Sequence, residues 1–98
     1  MIVDLRRSSR RDKKWMVNFN NKTIHFGGKN MSDYTIHKDA DRKTNYISRH
    51  AKMENWNRSG INTAGFWSKH LLWNKTSLRD SIKNIEKTFN INIIYKYG

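Results

Sequence analysis

The stretch TSLRDSIKNIEKTFNINIIY (residues 76–95) carries two hydrophobic periods in succession, and the change between them decides the class of fold. Leu78, Ile82, Ile85 and Phe89 recur at i, i+4, i+7 and i+11, while Arg79, Asp80, Lys83, Glu86 and Lys87 occupy the other faces. That spacing predicts an amphipathic helix with one apolar stripe. Thr76 or Ser77 supplies the N-terminal cap and Asn90 the C-terminal one. Burying the four apolar residues contributes roughly 6–12 kcal/mol before conformational entropy is charged. Beyond Asn90 the period falls to two, with Ile91, Ile93 and Tyr95 alternating, which predicts a terminal strand. A helix running directly into a strand implies an α+β domain.

Upstream, residues 14–27 read as a β-hairpin. Trp15, Val17 and Phe19 alternate on one face of its first strand, and residues 23–26 return after Asn20, Asn21 and Lys22, residues suited to a tight turn. Gly27 and Gly28 are expected to end the pairing, and the terminal strand to add to this hairpin. Residues 39–54 read as a helix opening at Asp39, with a modest apolar stripe through Tyr46, Ile47, His50, Ala51 and Met53. A polar loop over 55–62 leads to a short helix from Thr63 to Leu72, rich in Phe66, Trp67, Leu71 and Leu72. Phe66, Trp67, Leu71 and Phe89 are expected in the core, because apolar residues make up only 36% of the chain and its large side chains must fill the interior. The expected architecture is therefore α+β: an N-terminal β-hairpin plus a C-terminal strand forming a small sheet, packed against two or three helices. Residues 14–98 form this single small domain. Residues 1–13 lack apolar periodicity after Leu5 and are expected to form a flexible basic arm.

Twenty Lys and Arg stand against eight Asp and Glu on 98 residues, a net charge of +12. Such an excess costs a small fold self-repulsion and suits a polyanionic partner. Arg6, Arg7, Arg10, Arg11, Lys13 and Lys14 crowd the first fourteen residues, with Ser8 and Ser9 between two arginine pairs. The same pattern resembles a nuclear-localisation cluster. Lys38, Arg42, Arg49 and Lys52, at spacings of four, seven and three, are expected to share one face of the helix read over residues 39–54, a basic stripe that fits a phosphate backbone or a solvated surface equally. Trp56, between Asn55 and Asn57 and next to Arg58, is the expected exposed aromatic for stacking on a base.

The residue inventory narrows the chemistry. There is no cysteine, which removes disulfides, thiolate zinc sites and cysteine nucleophiles. His25, His37, His50 and His70 are scattered without metal-pair spacing, and Ser68 lacks the flanking glycine pattern of a hydrolase elbow. No catalytic residue, metal or cofactor is expected. No apolar run approaches a signal sequence or a membrane span, so the chain reads as intracellular.

Residues 32–39 (Ser32-Asp33-Tyr34-Thr35-Ile36-His37-Lys38-Asp39), Gly65-Phe66-Trp67-Ser68-Lys69, Leu72-Trp73-Asn74-Lys75 and the helix bearing Ile82, Ile85, Glu86 and Lys87 occur in that order. Together with the hairpin ending in Phe26-Gly27, they resemble a family of small, basic, uncharacterised proteins encoded by nucleocytoplasmic large DNA viruses of algae and protists. Thr76, in place of a helix-opening proline, and His70, in place of an aromatic, depart from its pattern. The resemblance implies a viral context, which suits the abundance of Asn, Lys and Ile, and carries over no catalytic residue. Two functions follow as expectations. One is non-enzymatic, largely non-specific binding of viral DNA or RNA through Arg6, Arg7, Arg10, Arg11, Lys13, Lys14, Lys38, Arg42, Arg49, Lys52, Trp56 and Arg58. The other is a minor capsid or cement role in the virus particle, with the arm threading between acidic capsid subunits. A small nuclease comes third.

Overall fold

In the computed structural model, which describes residues 1–95, the first ordered element begins at the second residue. Strand β1 (Ile2–Arg7) is followed by β2 (Lys13–Phe19) and β3 (Lys22–Gly28), then helices α1 (Tyr34–His37), α2 (Ala40–His50), α3 (Ala64–Trp67) and α4 (Leu78–Phe89), and finally β4 (Asn92–Tyr95). The fold is α+β, with one four-stranded sheet in the order β3-β2-β1-β4. β1–β2 and β2–β3 are antiparallel, and β1–β4 is parallel.

The free arm expected over residues 1–13 is overturned by this order. β1 is an internal strand, and Val3 and Leu5 are wholly buried. Its apolar alternation is only Val3 and Leu5 long, too short to stand out beside six cations, yet two inward side chains suffice once neighbouring strands exist on both sides. The terminal strand does not extend the hairpin directly either. β4 pairs with β1, bringing Val3 opposite Ile93 and Leu5 opposite Tyr95, because β1 already occupies the free edge of β2.

The hairpin forms as the residues require. Asn20 and Asn21 take positive φ of 49° and 63°, the left-handed pair of a two-residue turn, and Phe19 faces Lys22 across it. The ladder does not stop at the glycines: Lys13 still faces Gly28. Gly27 sits at φ 78°, where a Cβ would come within 2.8 Å of Leu72 Cδ1. Gly27→Ala is therefore expected to cost about 1–3 kcal/mol, read as a lower urea midpoint with unchanged slope.

All four helix starts are set by local capping, Thr63 capping α3 as expected by accepting from Phe66 N at 3.3 Å. Asp33 caps α1 by accepting from Thr35 N at 2.9 Å, Asp39 caps α2 by accepting from Asp41 N and Arg42 N, and Ser77 caps α4 through Asp80 N at 3.1 Å. α1 was not foreseen, being a single turn without apolar periodicity. α2 ends at His50, short of residue 54, and buries only Tyr46. α3 continues as a wider π-type turn over Ser68–Leu72. Asn90 closes α4 in the left-handed conformation at φ 55°. One hydrogen bond then ties that helix to the next strand, from Ile93 N to Glu86 Oε2 at 3.0 Å.

Val3, Leu5, Val17, Phe19 and Phe26 from the sheet meet Phe66, Trp67, Leu71 and Leu72 from the α3 region, with Ile82, Ile85, Ile91 and Ile93 completing the core. Phe66, Trp67 and Leu71 are fully buried, and Phe89 packs against this cluster while half-exposed. The Trp67 indole N–H donates to Ile61 O at 2.8 Å, so the largest buried side chain leaves no polar atom unpaired. Residues alternating with the core set face the other side of the sheet, where Ile2 and Ile94 stay open to solvent.

Candidate nucleic-acid interface

The basic segment is held in place by the strands it joins. β1 ends at Arg7 and β2 begins at Lys13, so residues 8–12 form the connecting turn. Its backbone is pinned on two sides: Ser8 N donates to Lys14 O and Lys29 N donates to Asp12 O, each at 3.0 Å. Ser8 Oγ also lies 2.7 Å from His25 Nδ1. Arg6 and Arg7 are both exposed but leave opposite faces of β1, Arg7 on the face of Val3 and Leu5 at its edge, and they pair with Met16 and Trp15 respectively. The Arg7 guanidinium lies 5.1 Å from the Trp15 ring centroid, a cation–π contact that aims it. Arg10 and Arg11 are exposed in the turn, Arg10 meeting Asp12 at 3.1 Å in an ion pair more than half open to solvent and so worth little.

Beside this turn runs a cleft of about 330 Å³. It is lined by Lys13, Gly27 and Gly28 from the sheet, by Arg49 and His50 of α2, and by Ser68 and Trp73. A smaller cleft of about 270 Å³ is lined by Arg7, Trp15, Lys29 and Ile36. Lys14 and Asp33 line both clefts. Lys14 Nζ lies 2.7 Å from Asp33 Oδ2, with side-chain exposures of 14% and 3%. Thr35 also donates both its N–H and its hydroxyl to Asp33 Oδ1. This pair braces the loop before α1 against β2, and it engages the Lys14 ammonium internally.

The wall of the larger cleft is a stack of rings. Trp73 and Tyr46 lie parallel at 4.3 Å, Tyr46 stacks on His50 at 4.4 Å, and His37 tilts against Trp73 at 5.3 Å. Burial raises the Tyr46 phenol above its ordinary value, opposed by a hydrogen bond with Ser68. His50 Nδ1 approaches Glu54 Oε1 at 4.0 Å across one helical turn. Stacking fixes these rings by their faces, and Tyr46, His50 and Trp73 line the cleft.

The expected residues thus divide. Arg6, Arg7, Arg10, Arg11 and Lys13 stand at one end of the sheet, and Arg49 lines the larger cleft together with Lys13. Lys38, Arg42, Arg49 and Lys52 do not share one helix. Lys38 is the left-handed cap that ends α1, and Lys52 lies in the turn beyond α2, leaving Arg42 and Arg49 on the helix itself. Trp56 is half-buried rather than open, with Lys69 Nζ 5.5 Å from its ring centroid. Burial, and secondarily nearby Lys43, lowers the pKa of that lysine. The Arg58 guanidinium donates to Phe89 O at the end of α4. Sequence reasoning missed Lys29 and the Tyr46–Trp73 wall. The signal for Lys29 was present in the hairpin register, since a strand returning through Gly28 brings residue 29 back to the β1–β2 turn. Trp73 and Tyr46 are 27 positions apart, and nothing local pairs them.

His70 is buried between Phe66 and Phe89, with ring centroids at 4.5 and 5.0 Å, and its Nε2 lies 2.8 Å from Trp56 O. Burial is the largest cause of a pKa lowered from 6.5; the carbonyl of Trp56 raises it and Lys69 lowers it further. The unfolded chain thus binds this proton more readily than the folded one. Stability is full above the unfolded value near 6.5 and falls as pH drops below it, by at most about 1.4 kcal/mol per pH unit, levelling off below the folded value. His70→Phe is expected to flatten urea-derived stability between pH 7.5 and 5.5 relative to the parent chain. An unchanged slope refutes the assignment.

Among the described residues no three His, Asp or Glu side chains gather where they could hold a metal ion, and no helix is long and apolar enough to cross a membrane. Fold and surface together define a small basic α+β domain, seven of whose twenty Lys and Arg (Arg6, Arg7, Arg10, Arg11, Lys13, Lys14 and Lys29) stand at one end of the sheet. Residues 3–50 are similar to a family of unknown function (DUF5754). That segment runs from β1 to the end of α2 and contains Arg6 to Lys14, Lys29 and Arg49. No curated protein and no solved structure matches the chain.

Proposed function

We propose that this domain binds DNA or RNA largely without sequence preference, by phosphate contacts from Arg6, Arg7, Arg10, Arg11, Lys13, Lys29 and Arg49. The observation that carries this reading is the anchoring of the basic segment. Its cations project from an ordered hairpin end beside a cleft that Arg49 also lines. A polyanion meeting a preorganised cluster loses less side-chain and backbone entropy than one meeting a free arm. The cleft adds aromatic edges, a hydroxyl at Ser68 and a carboxylate at Glu54 next to the cations, groups that suit a nucleotide better than a bare phosphate.

The test is binding of the purified chain to labelled duplex and single-stranded DNA and RNA across 50 to 300 mM salt. Five phosphate contacts give a slope of log affinity against log salt of about −4.5, and a loss of roughly several hundred-fold between 50 and 200 mM. Affinity that is weak and gone by 150 mM rules this reading out.

That failure would favour a virion structural role, as a minor capsid or cement protein of a large DNA virus, packed against acidic protein surfaces. Lys75, Arg79, Lys83 and Lys87, exposed on and before α4, support it, since they lie outside the sheet-end cluster. Against it, β1 takes up residues that a threading arm would need. Detection of the chain in purified particles tests this second reading.

A further inference from the structure

We infer that Ser9 is a phosphorylation site for an arginine-directed serine kinase, and that its phosphate switches off the sheet-end cluster. Ser8 and Ser9 both sit between the arginine pairs, but the fold treats them differently. Ser8 Oγ lies 2.7 Å from His25 Nδ1 and accepts from Arg10 N at 3.0 Å, so a phosphate there breaks two contacts of the turn. Ser9 is exposed, and its hydroxyl makes only a 4.0 Å contact with Met16 Sδ. Arg6 and Arg7 stand three and two residues before Ser9, and both are exposed. A kinase that reads substrates by acidic groups recognises cations at that offset from an accessible hydroxyl.

The co-reactant is MgATP. Ser9 Oγ attacks the γ-phosphorus, the Oγ–P bond forms as the bond to the β–γ bridging oxygen breaks, ADP leaves, and the hydroxyl proton passes to a carboxylate of the kinase and then to water. The product carries about −1.5 to −2 charges in the turn that Arg6 and Arg7 precede and Arg10 and Arg11 follow. Arginines engaged by that phosphate no longer meet the phosphates of a nucleic acid. Loss of about two contacts lowers affinity roughly 10- to 30-fold at 150 mM salt and makes the salt slope shallower by about 1.8. This consequence rests on the proposed function; the modification itself does not.

The experiment incubates the full chain with cyclic-AMP-dependent protein kinase and γ-labelled ATP, then maps the label by mass spectrometry in the parent, Ser8→Ala and Ser9→Ala. Label on the parent and Ser8→Ala but absent from Ser9→Ala is the expected result. Failure of the parent to take label while a standard arginine-containing peptide does, or label that persists in Ser9→Ala, overturns the site. Duplex DNA binding is then compared before and after modification. Unaltered affinity of the phosphorylated chain overturns the switch. If the unmodified chain does not bind DNA at all, it is the proposed function that fails, and the label on Ser9 stands.

Discussion

Removal of residues 1–7 unfolds the domain: the truncated chain loses its urea transition and its dispersed amide NMR spectrum. The deletion takes away the internal strand between β2 and β4, together with Val3 and Leu5, both fully buried. A single buried leucine truncated to alanine costs about 2–5 kcal/mol, and small domains hold only about 5–15 kcal/mol in total. The deletion also strands the backbone groups of β2 and β4 that pair with β1. A truncated chain with a native-like spectrum would mean that β1 is not integral to the sheet and that residues 1–7 are the arm their composition suggests.

The quadruple substitution of Arg6, Arg7, Arg10 and Arg11 by alanine has the opposite profile. All four side chains are exposed, so the urea midpoint is expected to stay within about 1 kcal/mol of the parent, or to rise through relief of like-charge repulsion. Binding to duplex DNA is expected to fall several hundred-fold at 150 mM salt, with the salt slope shallower by about 3.6. Uniform loss across sequences marks phosphate contacts, whereas loss on one sequence alone marks base reading. Affinity unchanged by all four substitutions would move the interface away from the turn. The truncation and the quadruple variant act on one short segment, and they separate what its backbone and inward side chains do from what its outward side chains do.

Much of the fold can be read along the chain. The α4 stripe, its Ser77 and Asn90 caps, the Asn20-Asn21 turn and the alternation of Ile91, Ile93 and Tyr95 involve residues within a few positions of one another, and each reappears in the structure. The site was legible only in part. The cations of residues 6–14 were named, but as a tether, because charge counting records which residues are present and says nothing of whether Val3 and Leu5 find partners. Lys38 and Lys52 were placed with Arg42 and Arg49 on the assumption of one unbroken helix. Asp39 does open α2 as expected, but Lys38 belongs to the left-handed cap of a separate helix begun by Asp33, and α2 stops at His50.

What the chain settles residue by residue is the α+β class, the strand and helix periods, and an excess of positive charge suited to a polyanion. These follow from side-chain periodicity, from caps that act over one turn, and from a sum over ionisable groups. Where that charge is concentrated is decided elsewhere. β1 is internal because β4, nearly ninety residues later, pairs with it in register. Lys29 reaches the β1–β2 turn only because β3 returns along β2 through Gly28. Arg49 comes to line the same cleft as Lys13 through tertiary packing in which Trp73 stacks on Tyr46 of α2. The β1–β4 pairing and the Tyr46–Trp73 stack join residues far apart in the chain, so they depend on the burial of the whole core at once, whereas the position of Lys29 follows from the hairpin register.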